Sequence, residues 1–358
     1  MNPLEQVRAR IDELDERIQN LISERARCAQ EIARIKRERG DTADFYRPER
    51  EAQILERVRA RNRGPLDDET LLRLFREIMS ACLALQQPLT VAYLGPRGTF
   101  TELAVLKHFG HAVRSRPLAA IDEVFREVEA GSVPYGVVPV ENSSEGVVTH
   151  TLDMFIDSPL KICGEVLLRV HHHLLSRAPS LEAVRTVYAH QQALAQCREW
   201  LAANLPGVPT VAVSSNAEGA RLAAEREDAA ALGSDHAAEL YGLSVLASNV
   251  EDEPDNTTRF LIIGRQDVPP SGRDKTSLMV AIRNKPGALH QILAPLADHE
   301  IDMTRIESRP SRRAPWDYVF FIDILGHKDE RSVQRALRAV EREAALLKLL
   351  GSYPCAVL

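Results

Sequence analysis

The sequence predicts a three-domain chain: an all-α helical domain, an α/β domain of two lobes, and an α+β domain with a ferredoxin-like order of elements. Three observations carry this. No glycine or proline lies between Pro3 and Gly40, and the window holds a heptad of aliphatic residues. From Leu89 the texture changes to short apolar runs alternating with helical windows, the signature of an α/β sheet. From Lys275 the order becomes strand, helix, strand, strand, helix, which fits a βαββαβ unit.

Taken in order, the first element is a helix ended by Gly40, its heptad formed by Leu4, Val7, Ile11, Leu14, Ile18 and Leu21 and continued by Cys28, Ile32 and Ile35. At 1.5 Å per residue it makes a rod of roughly 50 Å, which needs a partner chain or a partner helix along it. Helices are expected at 48–61 and 68–86, separated by Arg63-Gly64-Pro65, and this domain ends at residue 88. A second domain spans 89–266, with strands at Thr90–Leu94, Tyr135–Val140, Lys161–Leu175, Thr186–Ala189, Thr210–Val213, Ala229–Leu232 and Phe260–Ile263. Helical windows fall at 100–109, 121–130, 192–204, 216–227 and 235–241, and a length of about 175 residues suits two small lobes around a cleft. Asp267 to Gly272 reads as a linker. The third domain, 275–356, has strands at Thr276–Ile282, Ile301–Glu307 and Tyr318–Ile324 and helices at Pro286–His299 and Glu330–Leu349.

Composition narrows the class. The chain has 358 residues, 44% hydrophobic and 27% charged, enough to bury real cores, so disordered and collagenous classes are excluded. No run of about 18 apolar residues exists and Glu5, Arg8 and Arg10 charge the N-terminus at once, so neither a spanning helix nor a signal peptide is expected, and the expected setting is cytoplasmic. The five cysteines, an odd count with no CxxC pair, argue for reduced thiols rather than a disulfide framework or a thiolate zinc site. A formal net charge of −6 without a basic block offers no footprint for nucleic acid.

Arg25 occupies a heptad core position, and a buried guanidinium without a partner costs several kcal/mol. Its partner is a carboxylate of the protein, from Glu24, Glu31 or Glu51, or a carboxylate of a ligand. Lys36 lies three turns further along the same face and Arg8 shares the heptad position of Lys36, so three cations line one side of the rod. Arg47, Arg50 and Glu51 follow on the next segment, and such a cationic slot suits a small dicarboxylate. The set Leu4-x3-Arg8, Leu14-Asp15, Glu24-Arg25, Ile35-Lys36, Glu49-Arg50-Glu51 and Gln86-Gln87 resembles the all-helical chorismate mutase family over residues 4–88. That resemblance implies an intertwined dimer in which Arg8 comes from one chain and Arg25, Lys36, Glu51 and Gln86 from the other as catalytic residues, with Arg47, Arg50 and Cys82 at the substrate. Cys82 stands where the family often has serine, and Arg47 near a usual aspartate. Chorismate rearranges to prephenate without proton transfer, so catalysis is positioning plus charge stabilisation. Arginines would hold the two carboxylates, while Lys36 and Gln86 would donate to the breaking ether oxygen.

In the second domain, Gly95-Pro96-Arg97-Gly98-Thr99-Phe100 follows a strand and opens a helix, a glycine turn with a Thr cap. Val138-Pro139-Val140-Glu141-Asn142-Ser143 is a strand running into a polar cluster, a ligand position in α/β folds. Asn256-Thr257-Thr258-Arg259-Phe260 enters the last strand. Together these resemble prephenate dehydratase over residues 90–264, which implies a two-lobed, periplasmic-binding-protein-like fold with its active site in the cleft. The resemblance makes Thr258 the hydrogen-bond donor to the leaving hydroxyl and Arg259 or nearby backbone amides the holders of carboxylate, with Thr99, Glu141, Asn142, Ser143 and Gln196 as further substrate-binding groups. Ala189 and Gln191 stand where the family pattern has serine and proline. The run His171-His172-His173 is a poor chelate, because adjacent strand residues point to opposite faces.

In the third domain, Asn284-Lys285-Pro286-Gly287-Ala288-Leu289 opens a helix with ordinary capping chemistry and offers amides to a carboxylate, and Ile306-Glu307-Ser308-Arg309-Pro310 closes a strand. Both resemble the ACT domain of phenylalanine-responsive dehydratases, implying L-phenylalanine bound between ACT domains of a dimer by Asn284, Gly287, Ala288, Leu289, Glu307, Ser308 and Arg309. The order of the three parts is that of the bifunctional chorismate mutase/prephenate dehydratase family. The expectation is conversion of chorismate through prephenate to phenylpyruvate under phenylalanine feedback, by a homodimer or higher homo-oligomer without cofactor, metal, nucleic acid or membrane. A non-catalytic amino-acid sensor and a mutase fused to an arogenate-type dehydratase remain alternatives.

Overall fold

The computed structural model describes residues 2–40, 45–282, 285–310 and 318–356. Three helices form the first part: α1 (Pro3–Glu38), α2 (Pro48–Arg61) and α3 (Asp68–Gln86). A reciprocal capping box between Asn2 and Glu5 starts α1, with Pro3 in the first turn. Only Ala29 and Ala33 of α1 are buried; α1 meets α3, which runs on to pack Leu72 and Met79 against Leu55 of α2. The heptad lies on another face, and every residue from Asn2 to Ile22 is exposed, including Ile11, Leu14 and Ile18.

The second part has two sheets. The first lobe contains β1 (Thr90–Leu94), α4 (Phe100–Phe109), β2 (Arg114–Leu118), α5 (Ile121–Ala130), β3 (Tyr135–Asn142), β4 (Gly146–Val147), α6 (Thr149–Asp157) and β5 (Lys161–Arg169). The second contains β6 (His173–Ser176), β7 (Thr186–His190), α7 (Gln191–Gln196), α8 (Arg198–Asn204), β8 (Thr210–Val213), α9 (Asn216–Ala223), β9 (Ala229–Gly233), α10 (Asp235–Tyr241) and β10 (Ser244–Ala247). The chain then returns as β11 (Thr257–Gly264), inserted between β3 and β5 and antiparallel to both. The strand orders are β2-β1-β3-β11-β5 and β10-β6-β9-β7-β8. Residues 170–172 and 248–256 therefore cross between the lobes.

The third part is β12 (Asp274–Ile282), α11 (Ala288–Asp298), β13 (Met303–Pro310), β14 (Tyr318–Leu325), α12 (Arg331–Glu343) and β15 (Leu346–Pro354), ordered β13-β14-β12-β15 as in a ferredoxin-like sheet. Period-two alternation divides its apolar residues between two faces. Leu278, Val280, Phe320 and Ile322 pack on α11 and α12. Met279, Val319, Phe321 and Tyr353 join a core with Val138, Val140, Leu261 and Ile263 of the first lobe. Gly351 permits the close approach of β15 to β5: a Cβ there would penetrate the carbonyl oxygen of Ile162.

Several expected elements differ. Lys161–Leu175 is two strands in two sheets rather than one, and 192–204 is two helices meeting at Cys197. The last helix stops at Glu343, and the leucine run read as its continuation is β15, because a short apolar run fits either period. The polar strand β2 was not expected: it is an edge with Arg114, Arg116 and Pro117. No helix among the described residues is long and apolar enough to cross a membrane.

Candidate active sites

The three helices of the first part enclose a cavity of about 650 Å³. α1 contributes Arg25 and Lys36, the start of α2 contributes Arg47, Arg50 and Glu51, and α3 contributes Cys82 and Gln86. Among the described residues Arg25 makes no ion pair with Glu24, Glu31 or Glu51, although its charge acts on the Glu51 carboxyl. Lys36 sits with its Nζ 5.0 Å over the Phe45 ring, and Arg47 donates to Glu49 at 2.6 Å. Burial pushes the Glu51 carboxyl up to about 7, against the pull of Arg76 and Arg25. Near pH 7 the cavity therefore presents four cations, one paired carboxylate and a second carboxyl that readily holds its proton. Pro269 and Pro270 of the linker complete the wall, which sequence reasoning did not assign. Arg8 is not in this cavity: it lies 17 residues before Arg25, roughly 25 Å along the helix axis.

The second site is built where β3 and β11 pair as Asn142↔Thr258 and Glu141↔Arg259. The Asn142 amide is oriented by its neighbours, because its Oδ1 accepts from the backbone N–H groups of Ser144 at 3.0 Å and Glu145 at 3.1 Å. Its Nδ2 must then donate, which it does to Thr258 Oγ1 at 2.8 Å and to Asn256 Oδ1 at 2.7 Å. Thr258 is thus an acceptor from Asn142, and its own hydroxyl proton is free to point elsewhere. Asn256, buried, donates to Gln196 Oε1 at 3.3 Å, which also takes a 2.9 Å hydrogen bond from His172 Nε2. Burial pushes the His172 imidazole down, keeping it neutral. Glu145 in the first lobe accepts from Gln196 at 3.1 Å and from Gln192, closing the network across the lobes. Sequence reasoning missed Asn256, Glu145 and Gln192 as parts of this site, although all three lie in or beside the motifs it singled out.

Other expected residues behave differently. Strand alternation sends Glu141 and Arg259 to the opposite face from Asn142 and Thr258. There Arg259 donates to Glu165 at 2.8 Å, Asp323 at 2.5 Å and the Tyr353 hydroxyl at 3.0 Å. Glu141 meets Arg305 at 3.1 Å. Arg259 and Glu141, both expected at the substrate, are thus turned to the third domain. Burial alone would raise the Asp323 carboxyl, but the Arg259 guanidinium and the Ser277 hydroxyl hold it below the ordinary carboxylate range. Ser143 clasps the strand ends, exchanging 2.9 Å bonds with Thr257. Thr99 caps α4 and donates to the Pro96 carbonyl at 3.0 Å. The three adjacent histidines go to three partners: His171 to Glu251, His172 to Gln196 and His173 to the Asn249 amide.

In the third domain β12 and β13 end on the same side of the sheet, since β14 pairs antiparallel with both. This places Gly287, Ala288 and Leu289, at the start of α11, on the side where Ser308 and Arg309 close β13. Asn284 lies outside the described residues. Arg309, expected at an effector, is tied to Asp153 of α6 by 3.1 Å contacts to both carboxylate oxygens and so bridges the two domains.

Residues 7–87 match the family chorismate mutase type II, residues 91–268 prephenate dehydratase and residues 276–342 the ACT domain. The chain is 59% identical to a bifunctional chorismate mutase/prephenate dehydratase of Stutzerimonas stutzeri, over 99% of this chain and 98% of that one. It is 58% identical to the protein of the same name from Pseudomonas aeruginosa, with the same coverage of 99% and 98%. Among solved structures, a prephenate dehydratase from Arthrobacter aurescens in complex with L-Phe superposes with a TM-score of 0.69 at 35% identity, over 74% of this chain and 90% of that chain.

Proposed function

The chain belongs to the family of bifunctional chorismate mutase/prephenate dehydratases, and from that premise we propose which residues carry each of its two activities and its regulation. Arg25, Lys36, Arg47 and Arg50 hold chorismate as a dianion, with its side chain folded over the ring. Lys36 and Gln86 donate to the ether oxygen as its carbon–oxygen bond breaks and charge develops there. Glu51, carrying its proton near neutral pH, offers a hydrogen bond where an ionised carboxylate would repel the substrate. Arg8 comes from a second copy, because the exposed heptad face of α1 needs a partner helix and pairing along it brings a foreign N-terminal segment to the cavity. The protein is accordingly a homodimer or larger. A cytoplasmic setting belongs to the same reading and is supported by five free thiols.

For dehydration, Thr258 donates its hydroxyl proton in a hydrogen bond to the leaving hydroxyl of prephenate. Loss of carbon dioxide pushes electrons into the ring, hydroxide departs as water after taking up a proton, and phenylpyruvate remains. Asn142 fixes the direction of the Thr258 proton, while Gln196 and Asn256 tie that geometry to the opposite lobe. Thr99 and Ser143 shape the cleft without a free donor of their own. Phenylalanine binds at the third domain through the α11 N-terminus and the Glu307-Ser308 stretch, a reading supported by the L-Phe complex of the Arthrobacter protein.

The observation that carries this assignment is the convergence of Arg25, Lys36, Glu51 and Gln86, distant in sequence, on one cavity whose lining does not include the Asn142–Thr258 pair. The test supplies chorismate to the purified protein and follows prephenate and phenylpyruvate separately. Arg25→Ala should abolish prephenate formation and leave prephenate consumption intact. Thr258→Ala should do the reverse. Equal loss of both steps in either folded variant would defeat the assignment.

A further inference from the structure

The strand pair that presents Asn142 and Thr258 to the cleft has a second face, and that face is gripped by two ion pairs from the third domain. Glu141 and Arg259 are register partners across β3 and β11. Arg305 and Asp323 are register partners across β13 and β14. The two pairs face each other, Glu141 to Arg305 at 3.1 Å and Arg259 to Asp323 at 2.5 Å. Opposite charges thus occupy the four corners of a square, two corners in each domain. Arg259, Asp323 and Arg305 are largely buried, with side chains 10%, 8% and 11% exposed.

Docking alone does not require this square. Met279, Val319 and Phe321 already bury apolar surface against Val138, Val140 and Leu261, and that attraction has no direction. Replacing buried ion pairs by apolar groups is often neutral for stability, whereas their geometry is specific. The square acts at the rung next to the Asn142–Thr258 rung that ends the pairing of β3 and β11. A shift or rotation of either strand there changes the 2.8 Å contact between Asn142 and Thr258 on the reverse side. We propose that Arg305 and Asp323 are positioning residues for the dehydratase reaction, acting through Glu141 and Arg259 to hold the Asn142–Thr258 pair in register. This rests on the assignment of Thr258 to the leaving hydroxyl.

The test uses the full-length protein and takes mutase turnover as the control for folding. Arg305→Gln and Asp323→Asn should each lower dehydratase kcat about tenfold or more, since small misplacements of a reacting geometry are costly. KM for prephenate and mutase kcat should stay within about twofold, because neither ion pair touches substrate. Arg305→Lys, which keeps a positive charge at that corner, should retain more of the dehydratase kcat than Arg305→Gln. Wild-type dehydratase kcat in Arg305→Gln and Asp323→Asn, with Thr258→Ala inactive, would overturn the inference and leave the Thr258 assignment standing. Retained turnover in Thr258→Ala would remove that assignment, and the inference with it. Parallel loss of both activities, or a dehydratase kcat in Arg305→Lys no higher than in Arg305→Gln, would reduce the square to a structural role and overturn the proposal.

Discussion

At the scale of single residues, two groups owe their chemistry to their surroundings. Glu51 has its carboxyl raised from 4.5 to about 7 by burial. The folded chain then binds a proton between these values that the unfolded chain does not, so stability falls as pH rises through this window. The penalty is absent below about 4.5 and complete above about 7, at most roughly 3 kcal/mol. Glu51→Gln should remove this slope, visible as a melting temperature higher than wild type at pH 8 and converging near pH 4.5. The same substitution should flatten a mutase kcat/KM profile that otherwise declines above pH 7; an unchanged decline would separate the profile from Glu51. Asn142 gives the second prediction. Its carboxylate analogue, Asn142→Asp, keeps the shape but supplies no donor, so Thr258 would turn its hydroxyl proton onto the new carboxylate and away from substrate. Dehydratase kcat should fall roughly a hundredfold, as for loss of an oriented donor, with mutase turnover unchanged. Retained dehydratase turnover would refute the orientation argument.

At the scale of elements, the heptad on α1 and the motif-bearing strands were legible because apolar periodicity is written locally. The face of α1 that meets its own domain was not, since only Ala29 and Ala33 mark it. The side of β11 that each residue faces follows from alternation, yet which side is covered depended on where the third domain docked, a long-range fact that no local pattern encodes. Sequence therefore gave no sign that Arg259, adjacent to Thr258, turns to the third domain, and Arg305 and Asp323 carried no signal at all. Two variants test the element-level reading. Ile11→Asp with Ile18→Asp places charge on the exposed heptad face, and light scattering should find dissociated chains with mutase turnover reduced at least a hundredfold, because Arg8 would no longer reach a partner's cavity. An unchanged oligomer would remove the intertwined arrangement. Gly351→Ala adds a Cβ that collides with the Ile162 backbone, so β15 must leave β5. Its dehydratase activity should drop while the mutase persists, and full dehydratase activity would show that docking of this sheet is dispensable.

At the scale of the whole molecule, the third domain shares a core with the dehydratase lobe, so an effector held by its sheet has no flexible linker in which its influence could be lost. Linkage sets the first expectation: a ligand that binds only the folded chain stabilises it by RT ln(1 + [L]/Kd), roughly 2.7 kcal/mol at a hundredfold excess over Kd. Phenylalanine should accordingly raise the melting temperature, and Glu307→Ala should blunt the rise. β13 carries Glu307 two residues from Arg305, which pairs with Glu141 beside Asn142. A ligand that tilts β13 therefore moves one corner of the square and, through it, the Asn142–Thr258 pair. Inhibition should fall on prephenate consumption alone, leaving mutase turnover intact. Coupling free energy between two binding sites is reciprocal, so prephenate should weaken phenylalanine binding by the factor with which phenylalanine weakens prephenate binding. In Asp323→Asn both factors should shrink together while phenylalanine still raises the melting temperature. No thermal shift at saturating phenylalanine would remove the effector site; undiminished coupling in Asp323→Asn would show that the signal travels by another route.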